Sequence, residues 1–291
     1  MPRKLSLAIK EDTTFVRDTL PSLQTNVNAI RDVQNQQLDT QKLQQHAAIL
    51  EWLSPTDFPT QQHDIITRRE QGTGQWFVDS PEFKRWLQGS DKTLFCSGMP
   101  GAGKTMMAAI AIDHLCATAP SDDIGIAYVF CNYKAQADQS ALSLLAALLR
   151  QLVESQADFA GPVIEMYNHH TKRKTWPSLN EVIQALRTAC SNYTTAYIIV
   201  DALDECSDDT GGRGRLITEL RELQAGGDVR LLFTSRSIPE ITQTFESDLM
   251  LEVRATQEDV EKFVATHISP KYDEQLKAEI VNSIVKAVDG M

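Results

Sequence analysis

Residues 98–105 read Gly98-Met99-Pro100-Gly101-Ala102-Gly103-Lys104-Thr105, and their two flanks constrain what this chain can fold into. Thr93-Leu94-Phe95-Cys96-Ser97 before them is a short apolar run of the kind that forms a buried strand. Met106-Met107-Ala108-Ala109-Ile110-Ala111-Ile112 after them is a strong helix former with a continuous apolar face. Strand, glycine loop and helix in that order aim successive backbone N–H groups and a helix N-terminus at an anion. The spacing G-x-x-x-x-G-K-T is that of a loop that wraps a phosphate chain. Gly98, Pro100, Gly101, Ala102, Gly103, Lys104, Thr105 and Met106 are therefore candidate nucleotide-binding residues. Lys104 would reach the β- and γ-phosphates, and the Thr105 hydroxyl would fill one Mg²⁺ position.

A second motif completes the pattern. Tyr197-Ile198-Ile199-Val200 ends in Asp201, which places that acid at the carboxyl end of a buried strand, the edge where ligands sit in an open α/β sheet. Asp201 is thus a metal candidate opposite Thr105. Asp204 and Glu205 lie just beyond, where an acid orients an attacking water, and they are catalytic candidates. Leu231-Leu232-Phe233-Thr234-Ser235-Arg236 supplies another polar strand end, with Arg236 a catalytic candidate that would sense or stabilise a γ-phosphate.

From residue 93 onward, apolar strands alternate with amphipathic helices. Strands are expected at 93–97, 124–131, 196–200, 229–234 and 249–253, and Ser178-Leu179-Asn180-Glu181 is a capping box that opens a helix. This predicts an α/β fold with a mostly parallel five-stranded sheet covered by helices on both faces. The expected divisions are an N-terminal helical segment at 1–58, a connector at 59–92, the P-loop domain at 93–255 and C-terminal helices at 256–291.

The N-terminal segment is rich in glutamine and asparagine. Val16, Leu20, Leu23, Val27 and Ile30 follow coiled-coil spacing, but the same frame then lands on Gln34, Gln37, Gln41 and Gln44. Pro21 fits best at a helix start and splits the segment there. A short coiled coil and a helical hairpin both remain open, and either implies protein partners or self-association.

A formal net charge of −11 over 291 residues argues against nucleic-acid or anionic-membrane partners. His169-His170-Thr171-Lys172-Arg173-Lys174 is the one basic patch, and its plain reading is a solvated loop. The five cysteines are scattered without a C-x-x-C pair, as free thiols in a reducing compartment are. No run has the length of a membrane span, so a cytoplasmic location is expected.

Together the three motifs resemble the NACHT class of signal-transducing STAND NTPases, relatives of the NOD-like receptors. Asp201-Ala202-Leu203-Asp204-Glu205 is the most discriminating piece. Arg69-x-x-Gly72-Thr73-Gly74-x-Trp76-Phe77, Phe130-Cys131-Asn132-Tyr133-Lys134 and Phe233-Thr234-Ser235-Arg236 bring the likeness closest to fungal NACHT proteins with a nephrocystin-3-like nucleotide domain. That resemblance covers roughly residues 45–288. It implies Mg²⁺-dependent binding and slow hydrolysis of ATP or GTP as a signalling switch, and it places Gly72, Thr73 and Trp76 near the base and ribose. Family members usually continue into a winged helix and repeats, so a truncated product is an expectation too. The alternative function is a non-hydrolysing, nucleotide-bound scaffold that acts through its N-terminal helices.

Overall fold

The computed structural model describes residues 2–118, 123–156, 161–208, 212–267 and 273–289. The elements run α1 (Pro2–Leu53), α2 (Phe58–Ile66), α3 (Gln75–Asp79), α4 (Pro81–Gln88), β1 (Thr93–Ser97), α5 (Lys104–Thr118), β2 (Ile124–Phe130), α6 (Ala141–Glu154), α7 (Gly161–Arg173) and α8 (Leu179–Ser191). They continue through β3 (Thr195–Asp201), α9 (Gly212–Gly226), β4 (Val229–Ser235), α10 (Pro239–Thr244), β5 (Leu249–Glu252), α11 (Gln257–His267) and α12 (Glu274–Asp289). Short 3-10 turns at Tyr133–Asp138 and Leu203–Glu205 follow β2 and β3.

Local chemistry sets many of these boundaries. Asp57 caps α2 by accepting from the Thr60 N–H, and Ser80 caps α4 by accepting from the Phe83 N–H ahead of a proline at the first helical position. Gly89 ends α4 in the left-handed conformation. The box between Ser178 and Glu181 is closed in both directions at the start of α8.

Five strands form one sheet in the order β2-β3-β4-β1-β5, with every neighbouring pair parallel. All residues of β1 and β3 are buried, as strands covered on both faces must be. Parallel pairing puts all the carboxyl ends on one edge. Phe130 pairs with Asp201 and Ser97 with Ser235, so the glycine loop, the acidic turn and Arg236 emerge side by side.

The chain divides into two compact units, Met1–Glu51 and Trp52–Met291. The first is helix alone. Pro21 does not start a helix: α1 passes it without a break, so the helical hairpin is not formed. A proline inside a helix removes a single i→i−4 bond, and the flanking turns here are good helix formers. The side chains of Val16, Leu20, Leu23 and Val27 lie outside the described residues, while Ile30, the last of that seam, is 58 % exposed. In the second unit Phe58 is buried and Ser54 O accepts from Arg150, so residues from Trp52 onward are part of the α/β body. No helix among the described residues is long and apolar enough to cross a membrane.

Candidate nucleotide site

The loop between β1 and α5 is shaped by its glycines. Gly101 and Gly103 hold φ of 82° and 90°, a region that favours glycine. Gly98 serves a different need: a Cβ there would sit 2.4 Å from the Val253 carbonyl oxygen. The first helical bond of α5 runs from Met107 N–H to Gly103 O at 2.9 Å. The N–H groups of Lys104, Thr105 and Met106 therefore precede the helical ladder and are free to meet an anion. Gly98 and Ala102 contribute shape instead, since their N–H groups bond Ser235 O (3.2 Å) and Met99 O (3.2 Å). Lys104 folds back over the loop, and its Nζ donates to Gly98 O and Met99 O, both at 2.8 Å. Partial burial lowers its pKa, against the pull of the Asp204 and Asp201 carboxylates.

Asp201 ends β3 with 2 % of its surface exposed. Its Oδ1 accepts from the Thr234 hydroxyl at 2.5 Å, and the Thr105 hydroxyl also bonds it. Burial pushes its pKa up to about 6, although both hydroxyls and Lys104 favour the charged form. Ala202, next in the chain, is left-handed (φ 54°), and its N–H donates to Thr234 Oγ1 at 2.9 Å. That conformation swings Asp204 and Glu205 out over the sheet edge.

Asp204 is clasped by Arg236. The Arg236 N–H donates to Oδ1 at 2.9 Å and Nε to Oδ2 at 2.5 Å. Burial works to raise the Asp204 pKa, but these bonds outweigh it and hold the carboxyl below its usual range, while Asp204 raises Arg236. Glu205 Oε2 accepts from the Tyr133 N–H at 3.0 Å, and Gln136 Nε2 donates to Glu205 O at 3.1 Å. The turn after β2 thus splints the acidic turn after β3.

Pro100, Gly101, Gly103, Lys104, Thr105, Ala202, Asp204, Glu205 and Arg236 line one cavity of about 590 Å³, together with Tyr133, Gln136 and Thr234. Asp201 is not among the lining residues; it lies buried behind two of them, bonded to the Thr105 and Thr234 hydroxyls. The residues fit a Mg²⁺ ion shared with phosphate oxygens, which needs one or two protein oxygen groups rather than a cage. Thr105 and a buried carboxylate supply that pair. Among the described residues no group of three or more His, Cys, Asp or Glu would hold a metal by itself.

Gly72, Thr73 and Trp76 are not among the residues that line this cavity. They form a turn fastened from α11. Asp259 accepts from the Gly74 N–H at 3.0 Å and from Trp76 Nε1 at 3.0 Å, while Lys262 Nζ donates to Gly72 O at 3.1 Å. The turn presses on the phosphate-loop helix: a Cβ on Gly74 would meet Ile110 Cδ1 at 2.4 Å. Sequence reasoning missed Asp259, Thr234, Tyr133 and Gln136. Thr256-Gln257-Glu258-Asp259 resembles a capping box with Asp in the fourth place, and Thr256 Oγ1 accepts the Asp259 N–H at 3.2 Å. The Asp259 carboxylate, however, is committed elsewhere.

The family profile described as "Nephrocystin 3, N-terminal" matches residues 72–236, more than half of the chain and every motif of the cavity. The chain belongs to this family. Among curated proteins it is similar to the vegetative incompatibility protein HET-E-1 of Podospora anserina, 29 % identical over 191 residues. The match takes in 62 % of this chain but 14 % of that protein, so the chain spans about a seventh of the relative's length.

Solved structures that resemble this nephrocystin-3-type chain include the Walker-type ATPase paby2304 of Pyrococcus abyssi (TM-score 0.48, 12 % identity, 74 % of this chain and 64 % of that one). They also include the Aeropyrum pernix Orc1 protein in complex with DNA (TM-score 0.44, 19 % identity, 63 % and 45 %). The second finding corrects one expectation. An acidic chain was expected to have no nucleic-acid partner, whereas that Orc1 protein is described in complex with DNA. Overall charge says nothing of where a few cations stand, and the exclusion is withdrawn.

Proposed function

We propose that this chain binds ATP or GTP with Mg²⁺ and hydrolyses it slowly, as a NACHT/STAND-type switch in the cytoplasm. The observation that carries this reading is the pair of parked cations. Lys104 rests on carbonyls of its own loop and Arg236 rests on Asp204, both at the wall of one cavity. Lys104 rests on neutral carbonyls, which a phosphate oxygen would replace with a stronger, charge-assisted bond, while for Arg236 a γ-phosphate would compete with the Asp204 carboxylate as a second anion.

In this reading the N–H groups of Gly101, Gly103, Lys104, Thr105 and Met106 cradle the phosphates. Lys104 swings from Gly98 O and Met99 O to the β- and γ-oxygens. The Thr105 hydroxyl and Asp201 would hold Mg²⁺, which would supply charge neutralisation to the phosphates. Thr234 keeps Asp201 aimed. Glu205, fixed by the Tyr133 N–H, orients the attacking water. Arg236 leaves Asp204 when a γ-phosphate is present and returns to it afterwards, so the clasp reads the state of the nucleotide. Gly72, Thr73 and Trp76 face the base in this proposal on the family resemblance, with Asp259 holding their turn still.

HET-E-1 is named for vegetative incompatibility, and a role in non-self recognition or signalling is proposed here on that likeness. The helix α1 would supply self-association or partner contact. The test is phosphate release by the purified chain with ATP and with GTP, beside nucleotide titration. Lys104→Ala should weaken binding at least about tenfold, the scale of a lost charge-assisted contact. Unchanged affinity would refute the site. Binding without turnover above the Lys104→Ala control would leave a nucleotide-bound scaffold.

A further inference from the structure

The junction of α7 and α8 carries a feature that the nucleotide site does not use. Lys174 follows the last residue of α7 in the left-handed conformation, φ 54°. Thr175 N–H bonds His170 O at 3.1 Å and Lys174 N–H bonds Thr171 O at 3.4 Å. This is a Schellman closure, whose pivot is usually glycine. Here the pivot is the last of Lys172, Arg173 and Lys174, the one run of three consecutive cations in a chain of net charge −11. All three are exposed.

Two residues on, Trp176 is 72 % exposed, yet it is not loose. Its indole lies parallel to that of Trp52, with centroids 6.2 Å apart and planes 7° apart. Trp52 in turn stacks on His170 at 6.2 Å and meets Tyr167 edge-on at 5.3 Å. His170 is buried, and its ring nitrogens pair with Thr175 Oγ1 at 2.8 Å and Glu181 Oε1 at 3.1 Å. The ladder sets the plane of the Trp176 indole, most of which stays exposed to solvent. The acid bonded to this ladder, Glu181, has its carboxylate already spent on Ser178 and His170.

We infer that this ledge binds single-stranded nucleic acid, one base stacking on the exposed indole of Trp176 while Lys172, Arg173 and Lys174 take the flanking phosphates. A flat, pre-stacked indole beside a basic run matches a chain of planar bases on a polyanion. A duplex hides its base faces, and an acidic peptide lacks the regular succession of aromatic bases along a polyanion that a single strand offers. The inference does not depend on the nucleotide-site reading.

The experiment is fluorescence anisotropy of the full chain with labelled oligo(dT) and oligo(U) of about twenty nucleotides, a length that spans a typical single-strand site. A duplex of equal length, heparin and poly-glutamate serve as competitors, and salt is varied. Saturable binding that weakens with salt and quenches tryptophan emission is expected. The DNA and RNA arms then show which strand is preferred. Trp176→Ala should weaken binding about tenfold, the range of one lost base stack. Lys174→Gly should weaken it too, although glycine relaxes the left-handed pivot and keeps or raises the melting temperature. That opposite movement separates lost contact from lost fold. No saturable binding, or binding that neither variant changes, overturns the inference. So does heparin or poly-glutamate binding as tightly as the single strand.

Discussion

Replacing Gly98 with alanine should unfold this protein more easily than replacing Gly101, although both belong to the same loop. Gly98 has an ordinary φ, so alanine is allowed by the backbone, but its Cβ would stand 2.4 Å from Val253 O and 3.4 Å from Val253 C. Ordinary contact with that oxygen begins about 1 Å further out. The obstacle is backbone, so no side chain can turn aside. Either the loop or the end of β5 must move, and two bonds lie in the path: Gly98 N–H to Ser235 O at 3.2 Å and Val253 N–H to Ser97 O at 2.7 Å. Overpacking costs about 1–3 kcal/mol, and each weakened backbone bond about 1 kcal/mol. A loss of about 3 kcal/mol follows, on the order of 10 °C in melting temperature for a domain of this size.

Gly101 presents the reverse case. Its φ is 82° and nothing lies within 4 Å of the place a methyl group would take, so only the left-handed strain of about 1–2 kcal/mol applies. Urea unfolding followed by circular dichroism, on both variants and the parent, measures the difference. If Gly98→Ala is no less stable than Gly101→Ala, the β5 edge yields freely and the close-approach argument is wrong.

Four further outcomes follow from the same geometry. Burial raises the Asp201 pKa from 3.8 to about 6, so the folded chain retains a proton that the unfolded chain has lost between those values, and stability falls as pH rises through that window. Asp201→Asn should therefore be more stable than the parent at pH 7, by up to about 3 kcal/mol, with the gap closing towards pH 4; a gap independent of pH would contradict this. Arg236→Ala should lower triphosphate affinity about tenfold and leave diphosphate affinity nearly unchanged, as isothermal titration would show. Asp259→Ala should free the Trp76 indole, shift its emission to the red and destabilise the fold by about 2 kcal/mol, whereas Asp259→Asn keeps an acceptor and much of the effect is restored. A chain that starts at Trp52 gives up buried Ile49 and Leu50 but keeps the whole α/β unit, and should still fold and bind nucleotide as a smaller particle in light scattering. One that starts at Thr60 loses buried Phe58 and should be destabilised by about 3 kcal/mol or more.

What was legible in the sequence is what local pattern encodes. β1, the glycine loop and α5 read correctly because strand, loop and helix are contiguous and each has its own signature. The two polar strand ends read correctly because an apolar run that stops at Asp201 or Ser235 marks a sheet edge wherever it occurs. The small residue after Asp201 had no visible cause until Ala202 proved left-handed with its N–H on Thr234. Asp259 was out of reach for another reason: its partners Gly74 and Trp76 lie 185 and 183 positions away, and no periodicity records such a pairing. Pro21 misled because a breaker rule weighs one residue, while a 52-residue helix is decided by the sum over many.

The Asp204–Arg236 clasp and the Asp259 clasp act on the same helix from opposite ends of its environment. The first bears on the cavity that α5 opens with Lys104 and Thr105. The second holds the turn whose Gly74 packs on Ile110 and Met107 of α5, with no room for even a methyl group between them. Packed interiors do not deform gradually, so a shift of α5 by a fraction of an ångström is felt at that turn. Under the proposed function, a nucleotide that shifts α5 as it draws Arg236 from Asp204 would be felt at α11, and that coupling would be reciprocal. Loosening α11 with Asp259→Ala should change triphosphate affinity more than diphosphate affinity, because only the triphosphate draws Arg236 away. Equal changes for both nucleotides would show that α11 merely supports the fold.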